Sequence, residues 1–141
     1  MREIYKQTAR IFGIRWSGRH YSGGGTVTEF DAPNLALNVA NTCLYGLTEA
    51  AVHALGLSPA LGFIHSGSSI AFVLDVADLY KAELVIPACF GLVARVSASG
   101  AAWPTLERDT RRLMRDEFRS GALLERIVKD IEGLLDDGLG G

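Results

Sequence analysis

At 141 residues, of which 48% are apolar, the chain is the size of one compact domain and has the material for a core. Its net charge of −2 gives no overall pull toward nucleic acid, so any DNA binding has to come from local patches. The two cysteines, in the apolar runs NTCLYGL and IPACFGL, suit buried thiols in a reducing compartment rather than a disulfide framework.

Residues 2 to about 12 are predicted to be helical, with Ile4, Tyr5, Ile11 and Phe12 at helical spacing. An apolar side left uncovered on this stub invites self-association, so a homo-oligomer is expected. The segment MREIYKQTAR is charged and lacks the apolar stretch of a secretory signal, which points to the cytoplasm. Gly13 to Ala32 then reads as a loop, flexible over about 17–32. It holds IRWSGRHY, the triple glycine Gly23 to Gly25, and a Thr-rich stretch ending in Asp31, a candidate helix cap just ahead of Pro33. A long helix is predicted from Pro33 to Leu55, stopped by Gly56 and by Ser58-Pro59. The most apolar stretch, Leu35 to Leu61, is interrupted by Asn38, Asn41, Glu49, His53 and Pro59, so it is expected to be buried and not to enter a membrane. Residues 60–74 mix glycine, serine and β-branched residues, as an irregular connection would. A helix from about Val76 to Ile86 follows, then a second after Pro87 to about Val96, a small-residue linker, and two more over about 105–119 and 121–136. The sum is a single all-α domain over 1–141, with a flexible end at about 137–141.

Asp75 and Asp78 stand three apart at a predicted helix start, so their side chains leave one face with Cβ atoms about 5–6 Å apart. Two carboxylates so placed can share a hard cation such as Mg²⁺ or Mn²⁺. They can equally cap the helix, Asp75 as the cap and Asp78 at the third helical position. His65, in GFIHSG, offers an imidazole that suits Mn²⁺ better than Mg²⁺ and can move protons near neutral pH. A histidine beside Phe63 and Ile64 also reads as a hydrogen-bonded core residue, and His20 and His53 read that way too. Farther along, Arg108, Arg111, Arg112, Arg115 and Arg119 fall within about 100° of one helix face, with Glu107, Asp109, Asp116 and Glu117 outside that arc. Leu106, Leu113, Met114 and Phe118 lie opposite, toward a core. Charges segregated by sign fit a stripe that tracks phosphates as well as they fit a solvated face. Tyr21 and Tyr45 are either packing residues or groups that stack beside such a surface.

Taken together and in order, these pieces resemble the CRISPR-associated spacer-acquisition integrase, its type I-E version in particular. The resemblance runs nearly end to end: GIRWSGRHY, then CLYGLTEAAVHALGLSPALGFIHSGSSIAFVLDVADLYKAELVIP, then RDTRRLMRDEFRS. It implies a helical catalytic domain that uses Mg²⁺ or Mn²⁺ to insert short double-stranded DNA fragments into a CRISPR array, each joining a 3′-hydroxyl attack on a phosphodiester of the repeat. By the same resemblance His65 and Asp78 are metal ligands and Asp75 is an essential neighbour, so all three form the catalytic set. Tyr21 and Tyr45 line the DNA path, and Arg108, Arg111 and Arg115 contact DNA phosphates. The implied partners are protospacer and repeat duplexes and a small partner subunit of the adaptation complex.

Three departures qualify the expectation. The family's first metal ligand, a glutamate on the helix that continues into residues 2–12, would fall four residues before Met1. The N-terminal β-rich domain through which the family dimerises is not in this sequence either. Ser68 stands where close relatives carry a lysine. Glu49, in LTEAA, belongs to a different helix in the family pattern and is no substitute for the glutamate. These 141 residues are therefore expected to be catalytically incomplete, or else to serve as a non-catalytic DNA- or partner-binding remnant.

Overall fold

The computed structural model describes residues 2–20, 28–55, 76–100 and 103–140; His65, Asp75 and Tyr21 lie outside them. The described residues form helices and connecting segments with no strand, the all-α architecture expected from the sequence. We label the helices α1 (Arg2–Phe12), α2 (Ala32–Ala54), α3 (Val76–Ser99), α4 (Leu106–Ser120) and α5 (Leu123–Gly140).

α2 is the central helix. Ala36, Leu37, Ala40, Leu44, Thr48, Ala51 and Val52 are buried along it at intervals of mostly three and four residues, and the alanines let neighbouring backbones come close. α3, α4 and α5 all pack on α2, and α1 packs on α3. The core between them holds Ile86, Phe90 and Val93 of α3, Leu106 and Met114 of α4, and Leu123, Ile127 and Ile131 of α5. On α4, Leu113 and Phe118 pack at the core's edge, so the inward face matches the sequence pattern. Thr110 is buried there as well, its hydroxyl donating to the Leu106 carbonyl at 2.7 Å, which satisfies it within the helix.

Three local expectations change. The two helices predicted on either side of Pro87 are one, because Lys81–Val85 forms a π-helical turn just before the proline. There the Ile86 N–H reaches back five residues to the Lys81 carbonyl. A wider turn makes room for the proline ring and absorbs the hydrogen bond that its missing N–H would break. Secondly, Asp31 stands at the N-cap position of α2 as expected but makes no side-chain capping bond; its carboxylate faces His20 and Thr28 instead. Thirdly, the apolar side of α1 is covered in part, at Ile4 and Tyr5. Tyr5 is buried, stacked on Trp16 at 5.1 Å between ring centroids, and Trp16 in turn lies 5.3 Å from Phe90. Gly13, at φ +68°, turns the chain out of α1 and lets the Ile14 N–H close on the Ala9 carbonyl at 2.8 Å, which carries Trp16 back over Tyr5. Ile11 and Phe12 of the same helix stay exposed, at 77% and 37%. By length and composition α3 could cross a membrane, but its side with Val85, Ile86, Cys89, Phe90 and Val93 is inside the protein.

Candidate functional site

Asp78 lies in the first turn of α3, its side chain 52% exposed, and its Oδ1 is 3.3 Å from Lys81 Nζ one turn along. The spacing of three puts both on one face. The Lys81 ammonium is largely sheltered and sits 4.9 Å from the centre of the Tyr45 ring, so the contact spans α3 and α2. Burial alone would lower the Lys81 pKa, but the Tyr45 phenol and the Asp78 carboxylate outweigh it and hold the amine above its ordinary value. Lysine is therefore a firm positive charge here.

Arg19 lines the same cleft, an opening of about 490 Å³ whose walls also include Tyr5, Asn38, Asn41, Tyr45 and Lys81. Its guanidinium donates to Asn34 Oδ1 and to Asn38 Oδ1, each at 2.5 Å, and to the Asn34 carbonyl at 3.4 Å. Asn34 and Asn38 are four apart on α2, so one helix face presents both acceptors to one planar fork. The Tyr5 hydroxyl has its pKa raised by burial, against the pull of Arg19 and Lys81. Asn41 Oδ1, on the same wall, is buried with no hydrogen-bond partner among the described residues.

The segment ahead of α2 is tied down by Asn34, which is 3% exposed. Its Nδ2 donates to the Gly18 carbonyl and to His20 Nδ1, both at 3.0 Å, and its Oδ1 accepts the His20 N–H at 3.3 Å. That bond to Nδ1 assigns the ring proton to Nε2, which stands 3.3 Å from Asp31 Oδ1. The ring also stacks on Phe30, centroids 4.6 Å apart. His20 is thus a hydrogen-bonded structural residue.

Of the expected catalytic set, Asp78 is the member the described residues include. Its oxygens are accessible from solvent and fit one ligand of a hard-cation site. Among the described residues no three His, Cys, Asp or Glu side chains stand close enough to hold a metal together. Tyr45, 42% exposed, is a surface group beside Asp78's partner and not a core packing residue.

On α4, Arg108, Arg111, Arg112, Arg115 and Arg119 are all exposed. The separation by sign is less complete than the helical wheel suggests. Arg111 is in short contact with Glu107 one turn back, and Arg115 Nε lies 3.9 Å from Asp116 Oδ1. Long side chains reach across the boundary of an angular arc, which a wheel does not register. Arg108, Arg112 and Arg119 make no ion pair among the described residues.

Sequence reasoning missed Lys81, Arg19 and Asn34. The first was signalled by the spacing D-x2-D-x2-K, which puts the lysine one further turn along the face that holds the acids. Arg19, two residues before Tyr21, and Asn34 carried no such signal, because their partnership depends on how a loop lies against α2.

Comparison with known proteins supplies the family. The profile described as CRISPR associated protein Cas1 matches residues 5–121. The CRISPR-associated endonuclease Cas1 1 of Rhodospirillum rubrum is 44% identical over 138 residues, which cover 98% of this chain and 44% of that protein. The CRISPR-associated endonuclease Cas1 of Escherichia coli is 36% identical over 138 residues, 98% of this chain and 43% of its own. A crystal structure of a TtCas1–DNA complex superposes with a TM-score of 0.73 at 42% identity, covering 94% of this chain and 48% of that one. The chain thus spans under half the length of these relatives, and by sequence and by fold it belongs to the Cas1 family.

Proposed function

We propose that this chain is the helical catalytic part of a divalent-metal-dependent DNA endonuclease and integrase for CRISPR spacer acquisition. The observation that carries the reading is the family match, whose range of residues 5–121 takes in Tyr45, Asp78 and Lys81, together with relatives named as endonucleases. His65 and Asp78 would hold Mg²⁺ or Mn²⁺, with Asp75 shaping the site beside them. Bound there, the ion supplies charge stabilisation at an attacked phosphate and helps orient the 3′-hydroxyl nucleophile.

The chain's own groups do the rest. Lys81 and Arg19 make the cleft positive and draw a phosphodiester toward Asp78. Tyr45 and Tyr21 give the DNA path stacking or hydrogen-bonding surfaces. Arg108, Arg111 and Arg115 hold the duplex by its phosphates, independently of sequence. TtCas1 has been solved with DNA, which supports DNA as the partner here, double-stranded DNA being part of the proposal. Self-association, a small partner subunit and a cytoplasmic setting complete the proposal.

A second reading, a DNA- or partner-binding module without catalysis, is favoured by the Lys81 ammonium already placed against Asp78. Mn²⁺-dependent joining of short duplexes to a CRISPR repeat separates the two. The assay uses these 141 residues fused behind the N-terminal segment of the Rhodospirillum rubrum relative. Joining supports the enzyme; duplex binding without joining at any Mn²⁺ concentration supports the module; neither activity contradicts both. Alone, the 141 residues are expected to join little, since the resemblance puts the first metal glutamate outside them.

A further inference from the structure

We propose that Asn34 is a positioning residue that sets Arg19 at the wall of the Tyr45–Lys81 cleft, so that the guanidinium acts as a fixed cation for a DNA phosphate. The inference rests on the DNA reading above. Four polar contacts converge on this one buried amide: the Arg19 guanidinium and the His20 N–H on Oδ1, the Gly18 carbonyl and His20 Nδ1 on Nδ2. Three consecutive residues, Gly18 to His20, are thereby pinned to the start of α2 through a single side chain.

Without that anchor, residues 18–20, which have no regular structure of their own, would lose these ties to the start of α2. Asn38 adds a second acceptor, so the guanidinium is gripped from two points along the helix. The grip fixes the plane of the fork and leaves the cation lining the cleft beside Lys81. A positive group whose position is settled before the ligand arrives loses less entropy on binding than a mobile one.

If Asn34 acts through Arg19, its contribution must vanish when Arg19 is gone, whereas a residue that merely supports the fold contributes with or without it. The test is a double-mutant cycle on duplex affinity, by fluorescence anisotropy at two salt concentrations, with the parent, Asn34→Leu, Arg19→Ala and the double variant. Asn34→Leu is expected to weaken binding about fivefold to tenfold, Arg19→Ala by a similar factor, and the double variant no more than Arg19→Ala alone. Asn38→Leu, at a half-buried position that the fold tolerates more easily, should give a smaller loss that also disappears in the Arg19→Ala background. ¹⁵N NMR of the arginine side chains gives a readout independent of DNA: a protected Arg19 guanidinium signal in the parent, lost in Asn34→Leu and weakened in Asn38→Leu.

Additive losses in the cycle overturn the proposal. So does an Arg19 signal unchanged in both asparagine variants. If the parent shows the protected Arg19 signal, the signal is lost in Asn34→Leu, and yet the parent binds no duplex, the clamp stands and the DNA reading falls.

Discussion

Lys81 Nζ stands 3.3 Å from Asp78 Oδ1, so the carboxylate expected to bind metal is already paired with an ammonium. Lysine and a divalent cation compete for the same oxygens. Half-exposed ion pairs are worth only about 0.2–1 kcal/mol, so Lys81→Met should tighten Mn²⁺ binding by about twofold to fivefold, read by electron paramagnetic resonance titration. Weaker Mn²⁺ binding in the variant would mean that the lysine helps build the site and does not compete for it.

The contact between His20 and Asp31 predicts an acid-side sensitivity. The Thr28 hydroxyl, and then the His20 ring, hold the Asp31 carboxyl below its ordinary value of 3.8. A carboxyl whose folded pKa is depressed contributes stability above its unfolded pKa and loses it as pH falls through the folded value. Asp31→Asn should therefore lower the melting temperature at neutral pH, by an amount that shrinks as pH falls below 3.8. A difference that persists undiminished into acid would assign the loss to packing.

At the far side of α3, the Tyr80 hydroxyl donates to Asp130 Oδ2 of α5 at 2.6 Å, and Arg126 lies over the ring while pairing with Glu83. Burial, then the bond to Asp130, pushes the Tyr80 pKa up to about 12. A raised tyrosine pKa means stability that is full below the ordinary value of 10.0 and is lost as pH climbs toward 12. Tyr80→Phe should cost about 1 kcal/mol, a fall of about 3 °C in melting temperature at pH 7. It should also remove the latest step in the alkaline absorbance titration. A late step that survives in Tyr80→Phe would belong to another tyrosine.

The arginines of α4 are predicted to be unequal. Arg108 makes no ion pair among the described residues, whereas Arg111 is engaged by Glu107. Arg108→Ala should flatten the salt dependence of duplex binding by about one unit of slope. Arg111→Ala should change it less, and Glu107→Gln should strengthen binding by freeing Arg111. Equal slopes for both arginine variants would show that the Glu107 pair dissolves on DNA.

Most of the helical framework was legible, because α2 and α4 carry their burial as periodicity and α2 ends at a Gly and Pro signal. Pro87 misled, since a proline's usual effect is to end a helix and nothing in KAELVIP shows that a π turn will absorb it. The layout around the candidate site was legible where spacing along one helix decides it, as for the position of Asp78 in the first turn of α3. It was not legible where two segments meet: the Arg19 fork on Asn34 and Asn38, the Tyr45 ring over Lys81, and the Trp16 ring that covers Tyr5 all depend on tertiary placement.

The most direct test of the catalytic reading is Asp78→Asn in the fused protein, assayed for Mn²⁺-dependent joining of a short duplex to a CRISPR repeat, with duplex affinity measured alongside. Asparagine keeps the shape and removes the charge a hard cation needs. Joining should fall by on the order of a hundredfold or more, with duplex affinity within about twofold of the parent. Joining at the parental rate by Asp78→Asn would contradict the placement of the metal site at the start of α3.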